Sequence, residues 1–468
     1  MKLALTPPLK RSYWLEQAEP SLPAPTSLQG HHQVDVAIIG GGFVGLWTAL
    51  TLKQHEPDIR VMILEQDICG GGASGRNGGM AMSWWPKIGT LSSFCSREQT
   101  LFLGHSAEQA IGELGEFCRQ HNIDAHFQQH GWLWTATTPA HIDSWNATLQ
   151  ACERLGVTPF ERLSKAEVAR LTGSDIHLAG VLERSNATIQ PAALARGLRR
   201  VAEQAGVEIM EHSGVTELLP GKPVTLKTER GQVQANSVVL ATNAWSACLP
   251  ELARMMVPVN SSIVVTEPIP ERLQQLGWTG NEAITDSQLM VDYYRTTTDG
   301  RIVFGKGTGA LAYGSRIGPL FSEDDKGVAM TEADFRRTYS SLKDVGFSHR
   351  WSGPIDRTYD SLPVFGQLQN QPNIHYGIGW SGNGVSPSRI GGRILASLAL
   401  ERKDQWSQCA LVNRTCKPFP PEPLRYLGGT LVRNAVIRKE REELAGRPGK
   451  ALDRMLASLA PSGLEDKS

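Results

Sequence analysis

One segment near the amino terminus restricts the possible folds more than any other part of the chain. A short β-branched run at residues 34–39 is followed at once by Gly40-Gly-Gly-Phe-Val-Gly45, a helix-like stretch and a second apolar run at 60–64. In such a βαβ unit the first glycine allows a tight turn, the second lets a phosphate approach the backbone, and the third lets helix and strand pack closely. The segment therefore predicts a parallel sheet with a dinucleotide site at a helix amino terminus.

An acidic residue stands where a dinucleotide site needs one. Glu65 lies 20 positions after Gly45, at the end of the second predicted strand. There it can accept a hydrogen bond from a ribose 2′-hydroxyl and repel a 2′-phosphate. The alternative is a glycine-rich turn followed by an unrelated surface acid. The dinucleotide site is favoured because the strand, the glycines, the helix, the second strand and the acid follow one another at the expected spacing.

Two later segments contain too many glycines for packed elements. Residues 70–79 read Gly-Gly-Gly-Ala-Ser-Gly-Arg-Asn-Gly-Gly, and residues 378–385 read Ile-Gly-Trp-Ser-Gly-Asn-Gly-Val. The first suits backbone amides wrapped around a cofactor, with Ser74 and Arg76 as ligands of a pyrophosphate or of flavin carbonyls. Its alternative is a flexible linker. The second precedes a helix at 387–399 whose first amides can stabilise a reduced flavin's negative charge, unless it is only a capped turn.

Composition argues against several classes of protein. The 468 residues suggest two domains, and 47 Lys+Arg against 47 Asp+Glu leave no excess charge for nucleic acid or an acidic membrane. The seven scattered cysteines include no CxxC pair, which indicates reduced thiols and no structural metal. Residues 1–30 have no apolar signal region, and no apolar run is long enough for a membrane span. These features predict a cytoplasmic location.

Together the motifs make residues 34–400 resemble the D-amino-acid-oxidase-like FAD oxidoreductases, which include glycine, sarcosine and γ-glutamylputrescine oxidases. Besides the three glycine-rich segments, the resemblance depends on Ala241-Thr-Asn-Ala-Trp245 and on Trp351-Ser-Gly-Pro354 with Asp360, Pro363 and Gly366. It implies an α/β fold with a discontinuous Rossmann-like FAD-binding domain, and an antiparallel-sheet α+β substrate domain over the flavin's face. A C-terminal helical tail follows.

The predicted domain boundaries alternate along the chain. An N-terminal extension covers 1–33, the FAD-binding domain 34–90, 180–256 and 346–410, the substrate domain 91–179 and 257–345, and the tail 411–468.

The resemblance also implies which residues contact FAD. No cysteine lies between Cys248 and Cys409, and Arg76-Asn77 stands where some relatives carry a flavin-linked histidine, so we expect non-covalent FAD. The residues implied are Gly40, Gly42, Phe43, Val44, Gly45, Glu65, Gln66, Gly72, Ala73, Ser74, Arg76, Asn77, Gly78, Gly79, Met80, Val215, Ala241, Thr242, Asn243, Trp245, Gly353, Ser381, Gly382, Asn383, Gly384 and Val385.

The implied reaction is oxidation of a small primary or secondary amine. Hydride transfer to flavin N5 gives an imine that hydrolyses to an aldehyde plus amine or ammonia, with oxygen as the expected acceptor. Lys306 lies on a strand like the one that carries an oxygen-activating lysine in some relatives, and His349 and Tyr294 are candidate helpers in deprotonation. The alternatives are a solvated lysine and two structural side chains.

A narrower resemblance, to the aminophosphonate oxidoreductases, depends on Met80-Ala-Met-Ser-Trp84-Trp85, Arg11-Ser-Tyr-Trp14 and a segment at 421–429. It implies 2-aminoethylphosphonate or its N-methyl derivative as substrate. Such a dianion needs a cationic clamp. The candidate clamp residues are Lys87, Arg295 and Lys306, and the candidate walls are Trp84, Trp85, Tyr294 and Trp380. Alternatively, Arg295 pairs with Asp292 or Asp299.

Other functions stay open at this stage. One alternative is a γ-glutamylputrescine or amino-acid oxidase, and another is an FAD-dependent hydroxy-acid dehydrogenase. A third is a non-enzymatic FAD-binding or tRNA-modifying-like protein, against which the balanced charge argues. The sequence thus predicts a small amine and molecular oxygen as partners, with no nucleic acid, membrane or metal.

Overall fold

The computed structural model describes residues 1–18, 26–278 and 280–463. Its strands form two large sheets and a two-stranded ribbon. In chain order they are β1 (Gly30–Ile39), β2 (Val61–Leu64), β3 (Met80–Ala81), β4 (Trp132–Ala136), β5 (Phe160–Leu163), β6 (Ala179–Glu183), β7 (Ala187–Thr188), β8 (Glu208–Met210), β9 (Glu217–Leu219), β10 (Val224–Lys227), β11 (Gly231–Leu240), β12 (Val257–Thr266), β13 (Ala283–Asp286), β14 (Asp292–Thr296), β15 (Ile302–Lys306), β16 (Phe347–Arg357), β17 (Val364–Leu368) and β18 (Gln371–Ile378).

The helices cover both large sheets and form the carboxyl-terminal part of the described chain. They are α1 (Tyr13–Ala18), α2 (Phe43–His55), α3 (Ile88–Ser92), α4 (Arg97–Gln120), α5 (Asn146–Leu155), α6 (Lys165–Thr172), α7 (Pro191–Gln204), α8 (Pro270–Gln275), α9 (Asp325–Thr338), α10 (Pro387–Ala399), α11 (Leu424–Leu444) and α12 (Ala451–Ala457).

The first sheet brings the predicted cofactor segments to one edge. Its strands run in the order β17-β18-β11-β1-β2-β8, and β18, β11, β1, β2 and β8 are mutually parallel. All of β2 and the carboxyl-terminal ends of β1, β11 and β18 are buried on both faces, which explains their apolar runs. Because parallel strands end at the same edge, Gly40, Glu65, Ala241 and Gly379, which follow β1, β2, β11 and β18, lie at that edge together.

The second sheet separates a packed core from the cavity-facing side. Its order is β16-β12-β15-β14-β13-β4-β6-β5, antiparallel except for the parallel pair β13 and β4. On one face Tyr294 and Phe304 pack against Phe335 of α9. On the other face Ile263 packs against α1 through Trp14. The predicted fold class, with two different sheet domains and carboxyl-terminal helices, is confirmed.

The predicted domain boundaries remain a prediction, although two details differ from the expected pattern. β1 begins at Gly30, four residues earlier than expected, because its pairing with β11 extends back to Gly231. β16 lies at the edge of the second sheet, paired with β12, whereas the predicted boundaries assign it to the FAD-binding domain. No helix in the described part of the chain is long and apolar enough to cross a membrane.

Candidate active site

A cavity of about 330 Å³ lies where the carboxyl edge of the first sheet meets the second sheet. All of the residues predicted to bind FAD line it except Gly45 and Gly79. Three residues predicted to bind substrate, Trp84, Lys87 and Trp380, line it as well. The cavity thus joins segments that are hundreds of residues apart in the chain.

Glycines at the start of α2 allow the turn to pack closely against neighbouring backbone. Phe43, at the start of the helix, donates its backbone N–H to Ser74 Oγ at 2.9 Å, which joins the first glycine-rich segment to the second. Gly40 has φ +111°, and a Cβ there would lie 2.5 Å from the Ala241 carbonyl oxygen. A Cβ on Gly45 would overlap the carbonyl oxygen of Gly40. Gly45 therefore supports the turn from behind without lining the cavity.

Glu65 is held at the end of β2 by two backbone donors. Its Oε2 accepts from the Gly41 N–H at 2.7 Å and its Oε1 from the Asp67 N–H at 2.9 Å. Burial raises the pKa of this carboxyl to about 7, against the opposing effect of the two amides. The carboxyl is therefore fixed in place and titrates near neutral pH.

The second glycine-rich segment is anchored by Arg76 and Asn77. The Arg76 guanidinium donates to the Ser352 carbonyl, through Nε at 3.1 Å and Nη2 at 2.7 Å, and to the Lys10 carbonyl. Burial lowers its pKa to about 10, and nearby Arg11 adds to the effect. Asn77 Oδ1 accepts from the Gly79 N–H at 2.8 Å. Arg76 thus ties this loop to β16, and its contact with a cofactor stays a prediction.

The third glycine-rich segment is held by Asp356, which sequence reasoning missed. Its carboxylate accepts from the backbone N–H of Gly379 at 2.7 Å and of Trp380 at 3.1 Å. Burial raises the pKa of Asp356 to about 7, with these amides opposing the shift. Further along the loop, Asn383 donates to the Ser83 carbonyl at 2.9 Å. Its Oδ1 is buried without a partner among the described residues, which leaves an acceptor for a donor on a ligand.

Two of the predicted substrate-binding residues lie away from the cavity lining. Trp85 packs against Gly104 and donates its indole N–H to Glu108 at 3.1 Å. Arg295 is buried; its Nε donates to the Gly78 carbonyl at 2.9 Å and its Nη2 to the Ile189 carbonyl at 2.6 Å. Its guanidinium also lies 4.8 Å from the centre of a Trp14 ring.

The position of Arg295 does not support the predicted role in a phosphonate clamp. Its donors are used by carbonyls beneath the second glycine-rich loop, and it pairs with neither Asp292 nor Asp299. Burial lowers its pKa to about 9, because no carboxylate in the described residues compensates for the lost solvation.

Lys306 points away from the cavity, contrary to the catalytic and clamp roles predicted for it. Side chains alternate along a strand, so Lys306 shares the helix-covered face with Phe304. Its Nζ contacts Asp334 at 2.7 Å, Asp292 at 2.9 Å and the Met290 carbonyl at 2.9 Å. Burial alone lowers the pKa of Lys306, but the two carboxylates outweigh it and hold the pKa above its usual value.

Tyr294 and His349 are also outside the lining. Tyr294 is buried in the same core as Phe304, stacks on that ring at 4.9 Å, and shares a 2.9 Å hydrogen bond with His177 Nε2. His349 lies on β16 with its Nε2 3.1 Å from a Glu16 carboxylate oxygen, partly exposed to solvent. The structural alternatives considered for both residues describe these positions better than the predicted roles in deprotonation.

Tyr293, the neighbour of Tyr294, faces the cavity instead. Its ring lies over Gly78 and Gly305, and its hydroxyl is 2.7 Å from Ser261 Oγ. Burial raises the pKa of Tyr293, so its phenol stays protonated at neutral pH. The glycine on the facing strand, which leaves room for this ring, is the sequence signal that could have identified it.

The comparisons with known proteins agree with this geometry. Residues 35–398 match the family model described as FAD dependent oxidoreductase, abbreviated DAO. The chain belongs to this family. Gamma-glutamylputrescine oxidoreductase from Escherichia coli is 30% identical over 412 residues, which cover 87% of this chain and 93% of that protein. Glycine oxidase from Geobacillus kaustophilus is 25% identical over 382 residues, covering 80% and 94%.

Solved structures agree at the level of the fold. The crystal structure of glycine oxidase from Geobacillus kaustophilus matches with a TM-score of 0.65 at 21% identity, covering 82% of this chain and 100% of that one. L-proline dehydrogenase from P. horikoshii matches with a TM-score of 0.63 at 19% identity, covering 81% and 96%. The family resemblance seen in the sequence is therefore confirmed, and the chain is an FAD-dependent oxidoreductase.

The cavity residues fit FAD. Gly42 and Val44 line the cavity at the amino terminus of α2, where a pyrophosphate can bind. Glu65 is placed to accept from a ribose hydroxyl, and Asn383 Oδ1 needs a donor. No cluster of three or more His, Cys, Asp or Glu side chains suited to a metal ion occurs in the described ranges. Non-covalent attachment of FAD stays a prediction.

FAD affinity is expected to rise with pH around neutrality. A ribose hydroxyl donates more strongly to a carboxylate than to a carboxylic acid, and the pKa of Glu65 is about 7, so FAD binding favours loss of its proton. The dissociation constant should fall about three- to tenfold between pH 6 and pH 8, as one linked proton allows. Titrating the apoprotein with FAD at several pH values measures this. Glu65→Gln should bind FAD more weakly and without the pH dependence. If the FAD affinity of this variant still changed with pH as in the unaltered protein, Glu65 would not be the group that titrates.

Proposed function

We propose that this chain oxidises a small amine that also carries an anionic group, with 2-aminoethylphosphonate or its N-methyl derivative as the best candidates. The observation that carries the proposal is a set of three cationic side chains in the lining of the cavity, Arg76, Lys87 and Arg357, of which Arg357 has a buried Nε without an acceptor among the described residues. The three carboxylates in the same lining already have partners: Asp67 pairs with Arg11, while Glu65 and Asp356 accept backbone N–H groups. Arg357 is therefore suited to an anionic substrate.

The chain's residues would bind and orient the amine, whereas bound FAD would supply the two-electron acceptor. Trp84 and Trp380 form apolar walls, and both are at most 5% exposed, so they exclude water from the bound substrate. Tyr293 presents a neutral hydroxyl beside Ser261. Oxidation of the amine gives an imine, which hydrolyses to an aldehyde plus amine or ammonia. Oxygen as the final acceptor is part of the proposal.

A second candidate is oxidation of γ-glutamylputrescine. Its support is the 30% identity over 412 residues to the Escherichia coli oxidoreductase named for that substrate. This compound also combines an amine with an anionic group, so the cationic lining alone does not separate the two candidates.

Anaerobic reduction of the bound flavin distinguishes the substrates. The holoenzyme is mixed with 2-aminoethylphosphonate, its N-methyl derivative, γ-glutamylputrescine, sarcosine or glycine, and loss of the flavin's visible absorbance is followed. We expect an aminophosphonate to reduce the flavin fastest. Fast reduction by γ-glutamylputrescine or an amino acid alone would keep the amine reaction but overturn the phosphonate assignment. Readmitting air and measuring hydrogen peroxide tests oxygen as acceptor.

A further inference from the structure

Arg357 is a cation at the end of β16 whose hydrogen-bonding capacity is largely unused. Within the described part of the chain, the one hydrogen bond of its guanidinium runs from Nη2 to the Ser462 carbonyl at 2.8 Å. Its Nε is shielded from solvent and has no acceptor, and it forms no ion pair with a described residue. Burial lowers the pKa of Arg357 to about 10, so it stays charged at neutral pH. A donor that is shielded from solvent on a charged group is unfavourable unless an acceptor binds it.

The strand places Arg357 in the cavity wall, away from the second glycine-rich loop. Residues 353–357 all line the cavity, and Gly353, Ile355 and Arg357 share one face of the strand because side chains alternate. Gly353 packs against Arg76, which anchors that loop. At the usual rise of a strand, Arg357 lies roughly 13 Å further along it. The guanidinium therefore stands at the opposite end of this face from the loop.

The carboxyl-terminal segment after α12 holds Arg357 in that place. The Ser462 carbonyl accepts from Arg357 and also from Ser361 Oγ at 2.7 Å, and the Ser462 N–H donates to the Tyr359 carbonyl at 3.0 Å. Gly463 lines the cavity next to Leu289, another lining residue. What the sequence suggested to be a tail is thus part of the cavity wall.

We propose that Arg357, positioned by the carbonyl of Ser462, binds the anionic group of the substrate. The inference rests on the proposed function for the nature of that substrate. A phosphonate has three oxygens, two of which match the fork of Nε and an Nη of a guanidinium. Sequence reasoning gave this task to Lys87, Arg295 and Lys306, and the donors of Arg295 and Lys306 have other partners.

The test compares anion binding by holoenzyme variants. Methylphosphonate, which has no amine, is titrated while the flavin spectrum is monitored, and flavin reduction by 2-aminoethylphosphonate is compared with reduction by propylamine. Arg357→Gln should raise the dissociation constant of methylphosphonate and the half-saturating concentration of 2-aminoethylphosphonate about 10- to 100-fold, the usual loss for a charged hydrogen-bonding partner. Reduction by propylamine, which has no anionic group, should be affected far less than reduction by 2-aminoethylphosphonate. Arg357→Lys should weaken methylphosphonate binding less, because lysine keeps the positive charge although it lacks the paired donors of a guanidinium.

Two further variants separate the role of Arg357 from general effects. Arg350→Gln is the matched control, because Arg350 lies on the same strand but pairs with Glu332 at the surface. Its dissociation constant for methylphosphonate should lie within about twofold of that of the unaltered protein. A chain ending at Pro461 lacks the Ser462 carbonyl together with residues 463–468, and it should weaken methylphosphonate binding in the same direction as Arg357→Gln.

The possible failures are distinguishable. If methylphosphonate binding depends on Arg357 while the flavin is reduced only by an amine without a phosphonate, the inference holds and the proposed substrate is wrong. If Arg357→Gln and Arg357→Lys bind methylphosphonate as the unaltered protein does, or if the unaltered protein does not bind it, the inference is overturned whichever amine is oxidised. Loss of FAD from both variants would also overturn it, since Arg357 would then serve the cofactor.

Discussion

Replacing Gly45 with alanine is expected to remove FAD from the protein. The added Cβ would overlap the Gly40 carbonyl oxygen, which belongs to the turn that presents the phosphate-binding amides. Overpacking costs about 1–3 kcal/mol where side chains can move, and here the obstacle is backbone. The turn must shift, so the amides would no longer meet the pyrophosphate. The flavin released by acid from the purified variant, per mole of protein, measures the effect. The same release from the unaltered protein tests non-covalent attachment.

Gly112→Ala is the control for the Gly45 variant. Gly112 lies within α4, and no atom lies within 4 Å of the position that its Cβ would take. Alanine there should leave FAD content unchanged and stabilise the helix by about 0.5–1 kcal/mol. A Gly45→Ala protein that retains FAD as fully as this control would show that the close packing of helix and strand is dispensable.

Lys306→Met is expected to destabilise the fold by about 3–5 kcal/mol, the usual cost of breaking a buried ion pair by removing one partner. The substitution leaves two carboxylates, the buried Asp292 and the half-buried Asp334, with Arg337 as the cationic partner that they share among the described residues. Because Lys306 faces away from the cavity, the reaction of reduced flavin with oxygen should not slow. Denaturant unfolding measures the stability, and reoxidation after mixing with aerated buffer measures the oxygen reaction.

The exposed residue Lys326, on the neighbouring α9, provides the comparison. Lys326→Met should change the free energy of unfolding by less than about 0.5 kcal/mol, as is usual at the surface. If Lys306→Met were as stable as this control but reoxidised much more slowly, Lys306 would act at the flavin and the position described above would be wrong.

The sequence predicted the FAD site best where the residues involved are close together in the chain. The glycines before α2, and Glu65 at the end of β2, have fixed spacings because a phosphate and a ribose must meet the backbone at set places. The same holds for the two later glycine-rich segments, which follow β2 and β18. Parallel strands then bring these separate segments together at one edge, so most of the predicted FAD residues line the cavity.

The substrate side was less predictable, because it depends on which face of a strand a residue occupies. A difference of one position separates Tyr293, which lines the cavity, from Tyr294, which is in the core. Local sequence determines that side chains alternate between the two faces of a strand, but not which of the two faces points toward the cavity. Arg357 gave no sequence signal, since its partner Ser462 lies 105 residues away.

Two phosphonates that differ only in the reacting group show whether the cavity serves the oxidation of an amine. The holoenzyme is titrated anaerobically with 2-aminoethylphosphonate and, separately, with 2-hydroxyethylphosphonate, which has a hydroxyl in place of the amine. We predict that the amine reduces the flavin, whereas the alcohol perturbs the spectrum by binding without reducing it. Reduction by the alcohol, with none by the amine, would contradict the account and favour a hydroxy-compound dehydrogenase.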